Sequence, residues 1–180
     1  MNSPAPTVQV YITLGSNIAP ERNLTRALQM LRQNHHLRVC RVSPVYHSPA
    51  VGADGAPVPD QPPFLNAAAH LTTDYYSAFS LKYNVLRFIE RCLGRVRTAD
   101  RFAPRPLDLD IALYGDCVID LPHLTIPDPD VLRRAYVALP LADIAPDVVH
   151  PVTGQTLAAI AEPFRGAAGI TRRDDLDLNA

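Results

Sequence analysis

The chain has no tryptophan, three cysteines and a single lysine among its 180 residues, and each scarcity closes off a class of explanation. Cys40, Cys92 and Cys117 are odd in number and stand in no Cys-x-x-Cys or Cys/His spacing, which argues against a disulfide framework and a zinc site alike. They read as buried or half-buried small hydrophobes. No apolar run approaches the roughly 20 residues of a membrane span, so no membrane partner is expected. Met1 to Thr7 offers neither a basic start nor an apolar segment, so no secretory or transit signal is read there and the cytoplasm is the expected compartment. No Gly-x-x-x-x-Gly-Lys-Ser/Thr occurs, which excludes a P-loop. With a formal net charge of −1 and a pI near 6.6, the chain lacks the overall basicity of nucleic-acid-binding domains, whose pI usually exceeds about 9.

Arginine is what the chain does have, and it is unevenly placed. Arg87, Arg91, Arg95, Arg97, Arg101 and Arg105 fall within nineteen residues, where even spreading would put about two. The block runs straight into Arg105-Pro-Leu-Asp-Leu-Asp-Ile-Ala-Leu-Tyr114. There Leu107, Leu109, Ile111 and Leu113 alternate with Asp108, Asp110, Ala112 and Tyr114, the period-two signature of a strand with one packed face. Asp108 and Asp110 leave on the same side, roughly 6 to 7 Å apart at the Cα level. Such a pair suits one hard cation or two adjacent ones, with magnesium the first choice. A local cationic patch beside a magnesium-binding pair, on a neutral protein, fits the phosphates of a nucleotide. Taken one at a time, these residues also fit a solvated helix face and the wet side of a sheet.

Length predicts one domain spanning 1–180, with a core over about 8–163 and a tail over 164–180. Strands are expected at Val8 to Leu14, Leu37 to Ser48 with an interruption at Pro44, Phe64 to Thr72, and Leu107 to Tyr114. Helices are expected from Pro20 to about Gln33 and from Tyr76 to Cys92, the second with Ala78, Leu81, Val85, Phe88, Ile89 and Cys92 inward. A short hairpin or irregular stretch over 118–126, partly helical chain over 130–142 and a short helix at 156–162 follow. The order β, α, β, β, α, β is that of an α+β, ferredoxin-like split βαβ sandwich, an antiparallel sheet with helices packed on its faces. Five prolines between Ser48 and Phe64 mark a long loop, read as covering the substrate, the alternative being a dispensable surface insertion at 53–60.

The motifs Tyr11-Ile-Thr-Leu-Gly-Ser-Asn17, Ser43-Pro-Val-Tyr-His-Ser-Pro49, Gln61 to Asn66, Gly94-Arg-Val-Arg97, Pro104-Arg-Pro-Leu-Asp-Leu-Asp-Ile111 and Arg134-Ala-Tyr-Val-Ala-Leu-Pro-Leu141 occur in a familiar order. Over about residues 8 to 151 the chain resembles the 6-hydroxymethyl-7,8-dihydropterin pyrophosphokinases of folate biosynthesis. The resemblance implies a ferredoxin-like fold and transfer of pyrophosphate from ATP to a reduced pterin alcohol, with AMP released. It implies two Mg2+ ions on Asp108 and Asp110, and phosphate contacts from Arg95, Arg97, Arg105 and Arg134, of which Arg95 and Arg105 join the aspartates in catalysis. It also implies Glu90 and Thr125 near the nucleotide, and a pterin pocket of Ser48, Pro49, Val51, Phe64, Asn66, Phe102 and Tyr136. Small-molecule substrates and a monomer or weak homodimer go with it. Other readings of the same motifs are a diverged relative acting on another pterin alcohol, and a non-catalytic pterin or nucleotide binder.

Three positions depart from the family pattern. Phe102 stands for a tryptophan and Ala103 for a glycine, the latter restrictive wherever a positive φ is needed. Asp128 stands where the family has a histidine that contacts an ATP phosphate. An acid there is expected to bind another magnesium or pair with Arg133 or Arg134, to weaken ATP binding, or to mark a diverged paralogue.

Overall fold

The structure, a computed structural model, describes residues 6–52, 56–98, 100 and 102–179. Arg101 of the arginine block and residues 53–55 of the expected insertion lie outside the described residues. An antiparallel sheet organises the chain: β1 (Val8–Ser16) is central, with β5 (Asp108–Tyr114) on one side and β4 (Phe64–Thr73) on the other. β4 in turn pairs with both β2 (Arg38–Val42) and β3 (Val45–Ser48), the two halves of the strand broken at Pro44. Proline cannot donate to a ladder, so the break falls where the sequence put it.

Alternation along β1 divides the interior in two. Val10, Ile12 and Leu14 face a core completed by α1 (Pro20–Arg32) and by the helical run 78–92. Tyr11 faces the opposite core, shared with α4 (Ala135–Ile144) and α5 (Leu157–Ala161). Helices therefore cover both faces of the sheet, an α+β arrangement. β5 serves both cores because its register shifts against Tyr11 and Ile12, leaving Ala112 as the extra residue of a bulge. Leu109 and Ile111 point into the first core, whereas Leu113 points into the second and Tyr114 returns to the first. The alternation read from the sequence thus holds through Ile111 and breaks at the bulge.

The helical run departs from expectation in the same physical way. It comprises α2 (Ala78–Ser80), a π-helical turn (Leu81–Leu86) and α3 (Arg87–Cys92). Two residues eight apart sit about 80° out of phase on an α-helix, and the wider π turn reduces that offset. Lys82 and Glu90 consequently both face inward, with Leu86 and Ile89, while Phe88 and Cys92 are exposed rather than packed. Cys40 and Cys117 are exposed as well, so none of the cysteines acts as a core residue.

A hairpin of β6 (Ile119–Leu121) and β7 (Leu124–Ile126) follows β5, and a 3-10 turn (Pro129–Val131) leads to α4. The expected tail is partly built into the fold: β8 (Thr171–Arg173) extends the sheet beside β3, and Leu178 is buried in the first core. Arg32 holds this segment through the Leu178 carbonyl at 3.1 Å. Among the described residues no helix is long and apolar enough to cross a membrane.

Candidate active site

β1 and β5 meet where their side chains are most unequal in size. Thr13 lies opposite Asp110 and Gly15 opposite Asp108, so two small residues leave room above two carboxylates. A Cβ on Gly15 would stand 3.5 Å from Asn66 Oδ1 and 3.8 Å from the Phe64 ring, so the missing side chain keeps the floor of this space open. The space is a cavity of about 600 Å³. Of the residues singled out from the sequence, Asp108, Asp110, Arg95, Arg97, Arg105, Thr125, Asp128, Arg134, Ser48, Pro49, Val51, Phe64, Asn66, Phe102 and Tyr136 all line it.

Glu90 is the exception, because it lies beneath the cavity rather than along its wall. Its carboxylate is 1% exposed and fully engaged: Oε1 accepts from the Leu109 amide at 2.9 Å and from Arg95 Nη1 at 2.9 Å, and Oε2 accepts from Arg97 Nη2 at 2.7 Å. One side chain thereby fixes β5 and the segment after α3 to each other. Burial pushes its pKa above the ordinary carboxylate value despite the Leu109 amide and Arg95. Arg95 continues the chain of contacts, donating to the Leu107 carbonyl at 2.9 Å and pairing with Asp108. Arg105 takes the other Asp108 oxygen at 2.6 Å. Burial alone would raise the Asp108 pKa, but these two guanidiniums outweigh it and hold the group below its ordinary value, ionised at neutral pH.

The cavity lining also carries aromatic and amide groups. Asn66, on β4, is buried and donates to Ser48 Oγ at 2.9 Å and to the Tyr46 carbonyl at 3.4 Å. The 48–64 loop folds back on itself, Gly52 donating to the Ala56 carbonyl at 2.9 Å and Val58 to the Ala50 carbonyl at 2.8 Å. It is tied across the cavity by Gln61, whose amide donates to the Phe102 carbonyl at 2.9 Å. Phe102 is 38% exposed at the rim. Ala103 does not adopt a positive φ, so its side chain restricts nothing there.

Asp128 departs from the expected pairing with an arginine. Its amide donates to the Ala112 carbonyl at the β5 bulge, 3.0 Å, and its Oδ1 accepts from the Asp130 amide at 2.9 Å, capping the 3-10 turn. It pairs with neither Arg133 nor Arg134 among the described ion pairs; the carboxylate near Arg134 Nε is Asp130, at 3.7 Å. Burial, reinforced by Asp110 and Asp130, pushes the Asp128 pKa up to about 6.

Sequence reasoning missed Lys82 and gave Arg87 no role beyond the arginine block; both also line the cavity. Lys82 bonds the Leu109 carbonyl at 2.9 Å and pairs with Asp110. Arg87 lies over the Tyr83 ring at 4.3 Å, and its Nε, like that of Arg134, is buried with no hydrogen-bond partner. Buried guanidinium N–H groups that make no hydrogen bond at a cavity suit an anionic ligand, the Arg134 group having only the Asp130 carboxylate at 3.7 Å. The charge count tempers that attraction: the described lining residues hold six basic groups (Lys82, Arg87, Arg95, Arg97, Arg105, Arg134) and five acidic ones (Asp100, Asp108, Asp110, Asp128, Asp130). The cationic patch of the sequence becomes a nearly balanced cavity once folded.

One family's sequence model, described as 7,8-dihydro-6-hydroxymethylpterin-pyrophosphokinase, matches residues 11–146. The chain belongs to that family. It is 40% identical over 161 residues to the 2-amino-4-hydroxy-6-hydroxymethyldihydropteridine pyrophosphokinase of Pseudomonas aeruginosa, covering 88% of this chain and 94% of the relative. The enzyme of the same name from Haemophilus influenzae is 36% identical over 158 residues, covering 87% and 93%. Among solved structures, a Plasmodium falciparum HPPK-DHPS triple mutant superposes with a TM-score of 0.72 at 14% identity, over 93% of this chain. The present chain spans 45% of that longer one, and the likeness establishes the fold. Within the pyrophosphokinase family, then, this member places the motif residues around one cavity and has an acid at position 128.

Proposed function

We propose that the chain is a 2-amino-4-hydroxy-6-hydroxymethyldihydropteridine diphosphokinase, acting in folate biosynthesis on ATP and 6-hydroxymethyl-7,8-dihydropterin. The observation that carries this reading is the convergence, in one cavity, of the Asp108 and Asp110 carboxylates with Arg95, Arg105, Asn66, Phe64 and Tyr136. The hydroxymethyl oxygen attacks the β-phosphorus of ATP, the bond from that phosphorus to the α,β-bridging oxygen breaks, AMP departs and the hydroxyl proton is lost. No covalent nucleophile from the protein is needed; the work is positioning and charge stabilisation.

Asp108 and Asp110 fit a magnesium site. They offer hard oxygen donors on one strand face, Asp108 is held ionised, and Mg2+ characteristically takes one or two carboxylates and completes its shell with water and phosphate. The near balance of charge in the cavity supports the same assignment, since a polyanion needs more positive charge than the side chains alone supply. Two bound Mg2+ would neutralise the polyphosphate and favour ionisation of the attacking hydroxyl. Arg95 and Arg105 keep Asp108 oriented, while Arg87 and Arg134 offer buried N–H groups to phosphate oxygens. Asn66 presents an amide to the edge of the pterin, and Phe64 and Tyr136 present faces to its ring. Thr125 and Arg97 lie toward the nucleotide, with Glu90 holding Arg95 and Arg97 in place from below.

A coupled assay of AMP release with ATP, Mg2+ and the hydroxymethyl dihydropterin tests the proposal beside an Asp110→Ala control. The expected result is turnover in the natural chain and its loss in the control. Equal inertness of the two sinks it.

A further inference from the structure

Lysine is almost never buried without a partner, and this chain's only lysine is 7% exposed. Lys82 projects from the π-helical turn onto β5, where its Nζ donates to the Leu109 carbonyl at 2.9 Å and pairs with Asp110. The Asp110 side chain remains 42% exposed, open to the cavity that Lys82 also lines. Arg95 and Arg105 serve Asp108, so the two aspartates are held by different cations. Asp128 lies within electrostatic reach of both Lys82 and Asp110, and Arg95 acts on Asp110 as well.

We propose that Lys82 is a positioning residue that holds the Asp110 carboxylate and competes with a divalent cation for it. The inference rests on Asp110 being a metal-holding residue, as assigned above. A divalent ion on Asp110 repels the Lys82 ammonium that pairs with the same carboxylate, so in this proposal metal binding displaces the Lys82 pairing. The ammonium has three N–H donors, and the Leu109 carbonyl retains one of them after displacement. Lys82 then remains inside the cavity as a fixed positive charge, next to the acid that stands at position 128. Its effect is to weaken divalent-ion binding before ATP arrives and to add a cation to the site afterwards.

The sole lysine makes the test direct. Protein grown on lysine labelled with 13C at Cε gives one ε-CH2 resonance. On addition of MgCl2, with and without a non-hydrolysable ATP analogue, that resonance is expected to move saturably in the natural chain and to stay still in Asp110→Asn. A signal in the natural chain that ignores Mg2+ overturns the proposal. Independently, Mn2+ binding measured by electron paramagnetic resonance is expected to tighten about tenfold in Lys82→Met and Lys82→Gln and to stay near the natural value in Lys82→Arg, with no gain on an Asp110→Asn background. A lysine that merely fastens helix to sheet would lower the melting temperature in Lys82→Met and leave Mn2+ affinity unchanged, which also overturns the proposal. Should both neutral variants fail to fold, the resonance of the natural chain decides. Protein that releases AMP but shows a static lysine signal loses this inference and keeps the activity; a moving signal without AMP does the reverse.

Discussion

Replacing Asp128 with asparagine removes a charge while keeping the side-chain oxygen that accepts from the Asp130 amide. The carboxyl's pKa lies at about 6 in the fold against an ordinary 3.8. At about 1.4 kcal/mol for each pKa unit, holding it ionised inside the protein costs about 3 kcal/mol near neutral pH. A raised acid pKa means that the folded state binds the extra proton, so this cost is absent well below pH 3.8, accumulates as pH rises toward 6, and is constant above that. Asp128→Asn should therefore be more stable than the natural chain by about 3 kcal/mol at pH 7.5 and by about 1 kcal/mol at pH 4.5. For a chain of this size the neutral-pH gain corresponds to a melting temperature roughly 6–12 °C higher. Thermal melts across that pH range, followed by circular dichroism without Mg2+ or nucleotide, provide the measurement. Parallel stability curves for the two proteins would refute the claim that Asp128 is a destabilising buried charge.

The same residue governs ligand affinity, and Asp128→His should tighten ATP binding in titration calorimetry with Mg2+, whereas unchanged or weaker binding would argue against repulsion. Asp110→Ala should cost at least about 100-fold in turnover, the scale of losing a preorganised electrostatic contact, with the fold retained by circular dichroism. Arg95→Ala strands the buried Glu90 carboxylate and should destabilise the chain by about 3 kcal/mol in urea titration; a loss under 1 kcal/mol would show that Arg97 and the Leu109 amide suffice. All three cysteines are exposed, so a thiol reagent such as dithionitrobenzoate should titrate three groups without denaturant.

Much of this arrangement was legible before folding because it depends on short-range patterns. The alternation around Asp108 and Asp110, the proline break between β2 and β3, and the amphipathic stripe of α1 are each set by neighbours a few residues apart. What was not legible depends on irregularity that breaks a period. The π turn carried Lys82 and Glu90 inward and Phe88 and Cys92 outward, which no 3.6-residue stripe anticipates. The bulge at Ala112 turned one strand from a single packed face into a bridge between two cores. The C-terminal segment looked like a tail because three residues of strand and one buried leucine are too little for composition to reveal. The arginine block suggested a cationic surface because sequence counts charges along the chain, whereas the fold gathered acids to it from β5 and the turn after β7.

Asp108 already has Arg95 and Arg105, and Asp110 already has Lys82, within the protein itself. Association with a polyphosphate is therefore an exchange of ion pairs more than capture by open charge. Added salt screens the approaching ligand and weakens the pairs it must displace together. Encounter rates at this site should accordingly vary less steeply with ionic strength than the crowding of arginines between positions 87 and 105 would suggest.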